Sequence, residues 1–526
     1  MGSVNVWTGR RASALQKALR LSNELFAKHL TVSTRTIAAW HQDPEIEPQS
    51  KVQHALDAAL ERASKADKAR FAELVGEQPE QPAPATTQDP AVAEIEGRIV
   101  SDPRTRSILE WLDASADWLP GTSRRKLAAR LARLGVGELE DRGARRGRVD
   151  QRQIAQSLAE YYTGPVPGYG LYSASYDDQT ATTSVLTCPE WLDLDCRLTP
   201  DNDRLDMVSG TIDGRVTLDE LTAEAAVQRL AEMLTLNFRL VDTPLYRLME
   251  IDIRKGTVSG GLGLVPFVRY ALTMDLLEGE LVDALAAGSP DRPGRLPLRD
   301  RLMPDLAAAL DVSSRLCSGG ALALCAIARP ASGNRPADYV LLIQERSGRV
   351  LNAARRLAVI PKGFHEPLVD FRLDAQISST LKREMEEELF GRDDVDGTTM
   401  ELRTTDPMHP SRLSAPMRWL TEDDSRLRIE CTGFGLNLVS GNCEFAGLIV
   451  IENDEFWPRF GGQISANWES GSLRQYSSLD RSLITELAGD VAWSNEGLFA
   501  LMQGLRRLAE IGGDRVDLPT VEWEIR

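Results

Sequence analysis

Residues 23–43 read NELFAKHLTVSTRTIAAWHQD, a pattern that is typical of two short helices joined by a tight turn. Ser33 can cap the second helix, because its side-chain oxygen can accept a backbone N–H of the first turn. Ile37 and Trp40 lie one helical turn apart and so face the core together. The first helix has a similar apolar face, which consists of Leu25, Phe26, Ala27 and Leu30. The pattern predicts an all-α N-terminal bundle in which the start of the second helix is exposed.

The run F-A-x-x-L-x-V-S-x-x-T-I-x-x-W at residues 26–40 resembles the helix-turn-helix of the Cro/repressor, or XRE, family of transcription regulators. The resemblance covers residues 8–62 and implies binding to double-stranded DNA, with the second helix in the major groove. It implies that the DNA-binding residues are Asn23, Ser33, Thr34, Arg35, Thr36 and Ala39. Asn23 would contact phosphate. Arg35 is the strongest candidate for a base contact, because a guanidinium can donate two hydrogen bonds to guanine.

The turn between the two helices departs from this family at one position. Thr31 lies where the family usually has glycine, and the turn needs a left-handed backbone. A plain pair of helices in a bundle is the alternative interpretation. We prefer the helix-turn-helix, because the order of serine, threonine, isoleucine and tryptophan in residues 33–40 is more specific than apolar spacing alone.

Charge limits how the chain can contact nucleic acid. The formal net charge of −17 argues against a protein that coats nucleic acid non-specifically, because that mode depends on neutralising phosphates. Residues 1–42 nevertheless hold only Glu24 against six basic side chains, which are Arg10, Arg11, Lys17, Arg20, Lys28 and Arg35. We therefore expect any DNA contact to be local. A second basic run, in residues 124–148, is either another DNA surface or, as we expect, a face paired with acidic residues.

Composition is that of a soluble globular protein, with 42% hydrophobic and 26% charged residues. No apolar stretch approaches the roughly 20 residues that a membrane span requires, and MGSVNVWTGRRAS at the start lacks the apolar core of a signal peptide. The six cysteines are scattered and form no CxxC pair, so reduced thiols are the simplest interpretation. We expect a cytoplasmic, nucleoid-associated protein with no membrane partner.

At 526 residues the chain is too long for one core and should hold about two to four domains. The stretch GEQPEQPAPATTQDP at residues 76–90 is rich in Pro, Gln and Thr and predicts a flexible linker. After it, helical spacing returns, then strands mix with helices, and finally apolar strands surround one acidic helix. The predicted parts are a helix-turn-helix domain at 1–75, a linker at 76–93, a helical domain at 94–165, an α/β middle domain of unknown role at 166–315, and a last domain at 316–526.

The acidic helix reads DAQISSTLKREMEEELFG at residues 374–391. Apolar residues recur every four positions and predict one buried stripe, formed by Leu373, Ile377, Leu381, Met385 and Leu389. Glu384, Glu387 and Glu388 lie at i, i+3 and i+4, so their carboxylates converge and repel one another. A divalent cation would relieve the repulsion, and such oxygen ligands suit Mg²⁺ or Mn²⁺. Glu386 should point away from this group. The alternative is a solvated acidic helix face.

The sequence R-E-M-E-E-E at residues 383–388 resembles the R-E-U-x-E-E core of the Nudix box, in which U is apolar. Residues 359–363, VIPKG, resemble the strand and glycine that open the box. The resemblance implies an α/β/α sandwich, in a family that hydrolyses nucleoside diphosphates linked to other groups. It implies that Glu384, Glu387 and Glu388 bind metal and that Gly363 lies close to metal and phosphate. In an active member, Arg383 and Glu387 would serve catalysis.

The match to the Nudix box is incomplete in three places. Ala375 stands where the family has a glutamate, with Asp374 one position away. The loop after Gly363 is longer than usual, and the glycine that follows the glutamates is displaced to Gly391. We therefore expect residues 316–526 to have a Nudix-like fold that is better suited to ligand sensing than to turnover.

Two functions follow from these motifs. The first is a transcription regulator that binds half-sites as a homodimer and whose Nudix-like domain senses a nucleotide-type ligand. The second is a Mg²⁺-dependent pyrophosphohydrolase that uses its helix-turn-helix for autoregulation or targeting. Water attack on a diphosphate would then need a general base, for which Glu444 and Glu452 are candidates. Whether the chain is an enzyme stays open at this point.

Overall fold

A computed structural model of the chain separates into two units, Met1–Ala93 and Glu94–Arg526. The structure describes residues 7–44, 46–63, 65–75, 90–212, 217–236, 242–288, 295–346, 356–392, 407–464 and 470–526. The chain is multi-domain and combines helices with mixed β-sheets, as the sequence predicts. Of the predicted linker, residues 76–89 lie outside the described residues, and residue 90 begins a helix. In the described residues, every helix is too short or too polar to cross a membrane.

The described part of the first unit is built of short helices around one small core. The core includes Trp7, Phe26, Ile37, Trp40 and Phe71. Leu25, expected in this core, is 56% exposed, because Phe26, Ala27 and Leu30 already form the buried face of its eight-residue helix. The helices are α1 (Gly9–Ala18), α2 (Asn23–Leu30), α3 (Thr34–Gln42), α4 (Ser50–Arg62) and α5 (Lys65–Val75).

The connection between α2 and α3 is tight because both helix ends are capped. Thr31 ends α2 with a left-handed backbone, at φ 56° and ψ 45°. Ser33 caps α3 by accepting the backbone N–H of Thr36 at 3.1 Å. The residue between them, Val32, packs against the core. The left-handed conformation that the sequence places at position 31 is therefore present, although the residue there is threonine.

The second unit begins with helices and continues with strands and helices mixed. Its helices are α6 (Pro90–Ser101, which starts within the first unit), α7 (Pro103–Ser115), α8 (Thr122–Leu131), α9 (Val136–Arg146), α10 (Gln151–Tyr161), α11 (Glu220–Thr235), α12 (Phe267–Ala271), α13 (Leu276–Ala286), α14 (Pro297–Leu302), α15 (Leu306–Leu310), α16 (Ile377–Glu384), α17 (Ala415–Thr421), α18 (Phe456–Phe460), α19 (Arg481–Ala488) and α20 (Asn495–Ile511). A π-helical segment, Met385–Leu389, extends α16.

The described strands of the second unit form two sheets. They are β1 (Gly170–Tyr176), β2 (Gln179–Thr187), β3 (Leu192–Arg197), β4 (Asp203–Ile212), β5 (Pro244–Arg254), β6 (Thr257–Pro266), β7 (Gly319–Arg329), β8 (Asp338–Arg346), β9 (Leu357–Val359), β10 (Lys362–Phe364), β11 (Leu427–Asn437), β12 (Asn442–Ile451), β13 (Ser470–Ser477) and β14 (Val521–Ile525).

The larger sheet has the order β13-β8-β7-β12-β11-β2-β1-β14, with β10 also paired to β7, β9 to β8 and β3 to β11. Its pairs are antiparallel except β7 with β12, which are parallel. The smaller sheet has the order β4-β6-β5. Strands from both sides of residue 315 lie in the larger sheet, so the predicted boundary between 315 and 316 does not coincide with a boundary in the sheet.

Helices cover both faces of the larger sheet at its centre. Residues of β7 alternate between two apolar clusters, because successive side chains of a strand point to opposite faces. One cluster contains α16, whose Ile377, Leu381 and Met385 are buried, and the other contains α20. The predicted stripe loses Leu373, which is 72% exposed because the helix begins only at Ile377.

Candidate functional sites

The first turn of α3 presents the residues that sequence analysis assigned to DNA. Thr34 and Arg35 are exposed, and Thr36 and Ala39 are half-buried. The Ser33 hydroxyl caps the helix and lies 2.8 Å from the Thr36 hydroxyl, so these two side chains hold the helix end together. Among the described residues, Arg35 has no hydrogen-bond or ion-pair partner. The arrangement leaves Thr34 and Arg35 accessible to a ligand at the helix start.

A buried amide that sequence analysis missed connects the three helices around this site. The Gln16 side chain of α1 is 5% exposed and donates to Asn23 Oδ1 at the start of α2, at 2.7 Å. Its Oε1 accepts from His41 Nε2, near the end of α3, at 2.8 Å. Gln16 thus fixes the exposed Asn23 relative to α3, and leaves the Asn23 amide nitrogen as a donor of the kind that binds phosphate. In the sequence, Gln16 is a polar residue among Ala14, Leu15 and Ala18, which are buried in the structure. This position could have indicated a buried amide.

The second basic run pairs with acidic helices of its own unit. Lys126 and Arg130 of α8 both contact Glu224 of α11. Arg142 of α9 pairs with Glu232 of α11, and Arg146 pairs with Asp283 of α13. These ion pairs agree with the expectation that this face is neutralised within the protein.

Around β10, the Nudix-like residues form a tightly packed group. A Cβ atom on Gly363 would overlap the Glu384 carboxylate, so glycine is required where strand and helix approach this closely. Arg383 Nη1 donates to Glu366 Oε1 at 2.6 Å, while its Nη2 donates to the Phe364 carbonyl at 2.9 Å and lies 2.8 Å from Glu384 Oε1. The structure therefore brings together Gly363, Arg383 and Glu384.

Glu366 is a second residue that sequence analysis missed. The family spacing directed attention to Ala375, which is fully buried and carries no charge. The neighbouring Asp374 instead accepts the backbone N–H groups of residues 368, 369 and 370, which folds the longer loop into a compact turn. This loop places Glu366 beside Arg383. The sequence does show a carboxylate, Glu366, in the loop after Gly363. It lies nine residues before Ala375, the position where the family has its glutamate.

The predicted metal ligands Glu384, Glu387 and Glu388 lie where α16 continues into the π-helical segment. Glu384 and Glu388 both reach β10, since the Glu384 carboxylate lies against Gly363. Glu388 Oε2 accepts the backbone N–H of Lys362 at 2.7 Å, and Glu384 contacts Arg383. Glu387 is 9% exposed.

Glu386 lies apart from that group, as predicted. Its carboxylate accepts from the Ser414 N–H at 2.5 Å and the Ser414 hydroxyl at 2.6 Å, and it pairs with Arg392 at 3.3 Å. It thereby ties the end of the π-helical segment to the start of α17.

Oxygen donors of this kind suit Mg²⁺ or Mn²⁺, but their arrangement does not fit a bound ion as it stands. In the described residues, no group of three or more His, Cys, Asp or Glu side chains is placed to hold a metal. Glu384 and Glu388 instead contact Arg383 and the Lys362 backbone. Metal binding by Glu384, Glu387 and Glu388 stays a prediction.

A buried group of charges lies next to Gly363. Lys362 Nζ is 2.6 Å from Glu496 Oε1, and Asn437 donates to the other oxygen of Glu496 at 3.2 Å. Glu444 Oε2 would lie 2.9 Å from a Cβ on Gly320, which neighbours Gly363 across the β7–β10 pair. Burial, together with the negative charge of Glu496, raises the pKa of Glu444 to about 8.

Glu444 and Glu496 therefore differ in charge at neutral pH. Burial alone would raise the pKa of Glu496, but the Lys362 ammonium outweighs it and holds that pKa below its usual value. With a pKa near 8, Glu444 is mostly protonated at neutral pH. Glu452, the other candidate base, has a 45% exposed side chain and lies 3.6 Å from Arg428. The structure brings Glu444, but not Glu452, into the buried charge group with Lys362 and Glu496.

Comparison with family models and with curated proteins found no match. The likeness to helix-turn-helix and Nudix proteins therefore depends on the residues described above.

Proposed function

We propose that the chain is a sequence-specific DNA-binding transcription regulator whose Nudix-like region senses a nucleotide-type ligand. The observation that carries the proposal is the capped start of α3, which presents Thr34 and Arg35 to solvent behind a tight turn. Backbone N–H groups and a guanidinium at a helix start are suited to phosphates and base edges.

Charge supports a local contact of this kind. Lys17, Arg20 and Lys28 are exposed in the same small unit, whereas the chain as a whole is acidic. A protein with this distribution gains little affinity from non-specific phosphate neutralisation. Recognition then has to come from few residues, of which Arg35 is the best placed. A homodimer would supply two such helices for the two half-sites of an operator.

The group around Gly363 supports the sensing part of the proposal. An α/β/α Nudix-like sandwich would place Gly363 close to the glutamates of the box, and the close approach of Gly363 to Glu384 supports this proposal. Glu384 and Glu388 contact Arg383 and the Lys362 backbone, which favours binding over turnover. A ligand would regulate DNA binding through a difference in its affinity for the free and the DNA-bound protein.

A genome-wide DNA selection with the purified full-length chain tests this function. We expect a preferred sequence with two half-sites, and an enrichment that changes when nucleoside diphosphate derivatives are added. The R35A variant should lose the preferred sequence, while K17A, which removes an exposed charge from α1, should keep it. Recovery of no preferred sequence by the wild-type protein would refute the regulator.

A Mg²⁺-dependent pyrophosphohydrolase is the second candidate, favoured by the Gly363–Glu384 contact and by the Arg383–Glu366 ion pair. The chain is incubated with a panel of nucleoside diphosphate derivatives and Mg²⁺ or Mn²⁺. Turnover that E387Q abolishes and E452Q preserves would establish the enzyme. Thermal stabilisation by a member of the panel without turnover would favour the sensor.

A further inference from the structure

The larger sheet ends on one side at β13, which pairs with β8 and, among the described residues, with no second strand. Just after β13, the Ser478 backbone N–H donates to the Tyr339 carbonyl of β8 at 2.9 Å. Every second residue of an antiparallel strand bonds to the same neighbour, so Tyr476 and Arg474 also direct their backbone groups to β8. The residues that alternate with them direct theirs to the outer edge of the sheet.

This outer edge is an open row of backbone donors and acceptors. It consists of the N–H and C=O groups of Leu473 and Gln475 and the N–H of Ser477, and in the described part of the chain these groups have no hydrogen-bond partner. The Gln475 side chain is exposed, and that of Leu473 is half-buried. An open edge of this kind can accept a strand from another molecule. The side chains along it decide which strand fits.

The side chains of β13 fit a second copy of the same strand. In a two-fold antiparallel pair centred on Gln475, Leu473 of each copy bonds to Ser477 of the other, and the two Gln475 residues bond to each other. Arg474 of each copy then lies opposite Tyr476 of the other. An arginine beside a tyrosine ring is a favourable cross-strand pair, and this register forms it twice.

Charge favours this register over the neighbouring one. A pair centred on Arg474 would place two arginines directly opposite each other, which is unfavourable. In the pair centred on Gln475, Arg474 keeps its own partner, because its Nη2 donates to Glu345 Oε2 at 3.2 Å. Arg474 is the one charged residue in the sequence of β13. The shared edge would therefore carry almost no uncompensated charge.

The opposite end of the sheet, at β14, is different. Leu171 and Arg526 exchange backbone hydrogen bonds at 2.8 and 3.0 Å, so by the same alternation Trp523 directs its backbone groups outward. Glu522 and Glu524 flank it and are exposed. A second copy of β14 centred on residue 522, 523 or 524 would place glutamate opposite glutamate. Charges of this kind protect an edge from pairing, so β14 is a control edge in the same sheet.

We propose that two copies of the chain pair through β13, antiparallel and centred on Gln475, so that their larger sheets become one continuous sheet. The same edge serves both copies, so the contact is isologous and closes at a dimer. This dimer provides the two-fold axis that binding to two DNA half-sites requires, but it does not depend on DNA binding.

The test measures the oligomeric state of the full-length chain, without DNA, by sedimentation velocity over a range of micromolar concentrations. We expect a concentration-dependent dimer. Q475P removes a backbone N–H that β8 does not use, and an edge strand tolerates proline at such a position. It should raise the dissociation constant by about ten-fold or more, because the central pair loses both of its hydrogen bonds. Q475T keeps the N–H and should leave the dimer intact.

Charge exchange at position 475 tests the register. Q475K and Q475E should each dissociate several-fold more readily, because like charges meet at the two-fold axis. An equimolar mixture of the two should form a heterodimer, in which lysine lies opposite glutamate. E522K makes a larger charge change on the control edge and should leave the dimer unchanged.

Circular dichroism checks that each variant is folded, and if Q475P is not, the mixture of Q475K and Q475E decides. A wild-type chain that is monomeric throughout the concentration range would overturn the proposal. A dimer that the substitutions at position 475 leave intact would assign the interface to another surface. Failure of the mixture to restore the dimer would contradict the pairing about Gln475. Each of these results is obtained without DNA, so it is separate from the outcome of the DNA selection.

Discussion

Glu444 and Glu496 are two buried carboxyl groups that share one neighbourhood but hold different charges. The Lys362 ammonium lies 2.6 Å from Glu496 and keeps Glu496 ionised. Glu444 is buried near this negative charge, and its pKa is raised. Burial disfavours the charged form of Glu444, and the negative charge of Glu496 adds to this effect, so the pKa of Glu444 is raised and it retains its proton. The residue can therefore donate a hydrogen bond to a ligand at neutral pH, which an ionised carboxylate cannot do.

This protonation predicts a specific pH dependence of stability. Folding raises the pKa of Glu444 from 4.5 to about 8. Between these values the folded state keeps a proton that the unfolded state has lost, so the free energy of unfolding falls as the pH rises. The contribution of one group is at most about 1.4 kcal/mol per pH unit. Chemical denaturation of E444Q from pH 5 to 8 should show a shallower decline than the wild-type protein.

Glu452→Gln provides the control for this experiment, because Glu452 follows the same strand and its side chain is 45% exposed. Its removal should leave the slope unchanged. Identical slopes for the wild-type protein and E444Q would mean that Glu444 is ionised in the folded state.

Arg35 is the residue whose loss should weaken operator binding most. A guanidinium that donates two hydrogen bonds to a guanine contributes about 1 to 3 kcal/mol of discrimination, so R35A should weaken binding to the preferred sequence by that amount. Fluorescence anisotropy with the preferred and a scrambled duplex measures it. K17A should weaken both duplexes slightly and equally. A loss in R35A that is the same on both duplexes would assign Arg35 to phosphate.

At the scale of elements, α16 depends on a cap from outside its own sequence. The Asp203 carboxylate, at the start of β4, accepts the backbone N–H groups of Ile377 at 3.1 Å and Ser378 at 2.9 Å. The N-cap residue itself, Gln376, makes no such bond. The orientation of the helix that carries the glutamates is therefore fixed by the smaller sheet.

Removal of this cap should destabilise the second unit. D203A leaves two buried N–H groups unsatisfied, and we expect it to lower the free energy of unfolding by about 1 to 3 kcal/mol. D206A changes an exposed aspartate of the same strand and should have an effect below about 0.5 kcal/mol. Urea denaturation followed by far-UV circular dichroism compares the two. Equal effects of both substitutions would contradict the capping role.

At Thr31, in the first unit, a substitution should increase stability, whereas D203A should decrease it. A β-branched residue at φ 56° is strained by about 1 to 2 kcal/mol, part of which glycine relieves. T31G should therefore raise the local stability of α2 and α3 by roughly 0.5 to 1 kcal/mol, measured by hydrogen exchange of their amides. K28G, one turn earlier and within α2, should lower it by a similar amount. Faster exchange in T31G would show that the turn is not left-handed.

Periodicity predicted the helices well and the details of their ends less well. Ile377, Leu381, Met385 and Leu389 are buried as expected, since a spacing of four is a property of the local chain. The π-helical segment at Met385–Leu389 could not be read from that spacing. Glu366, Gln16 and Glu496 were missed for a related reason. Their partners lie on other elements, and no local pattern specifies such contacts.

At the scale of the whole molecule, the charge distribution predicts how DNA binding responds to salt. Residues 1–42 hold six basic side chains, whereas several arginines of 124–148 pair with acidic helices. If each of the six met one phosphate, the slope of log K against log salt would be about −5 per protomer. We expect a slope no steeper than that, measured by titration in potassium chloride. A clearly steeper slope would assign a DNA contact to the second basic run.

The mixed α/β character of the chain followed from its sequence, but the extent of its sheet did not. Apolar runs within residues 316–526 predicted the strands that surround the acidic helix, which are β7, β8 and β12. The pairing of β11 with β2, in which Leu436 is opposite Leu186, joins segments that are far apart in the chain. Local propensity carries no information about such partners, so residues 166–315 and 316–526 were predicted as separate domains.

The pairing of β1 with β14, in which Tyr172 is opposite Ile525, affects how the chain folds during its synthesis. A ribosome completes β1 long before it makes β14, so one edge of β1 has no partner while most of the chain is being synthesised. An open strand edge can pair with other chains, and non-local strand pairs form slowly. Translation speed and chaperone supply should therefore affect the yield of this protein more strongly than that of proteins whose neighbouring strands are adjacent in sequence.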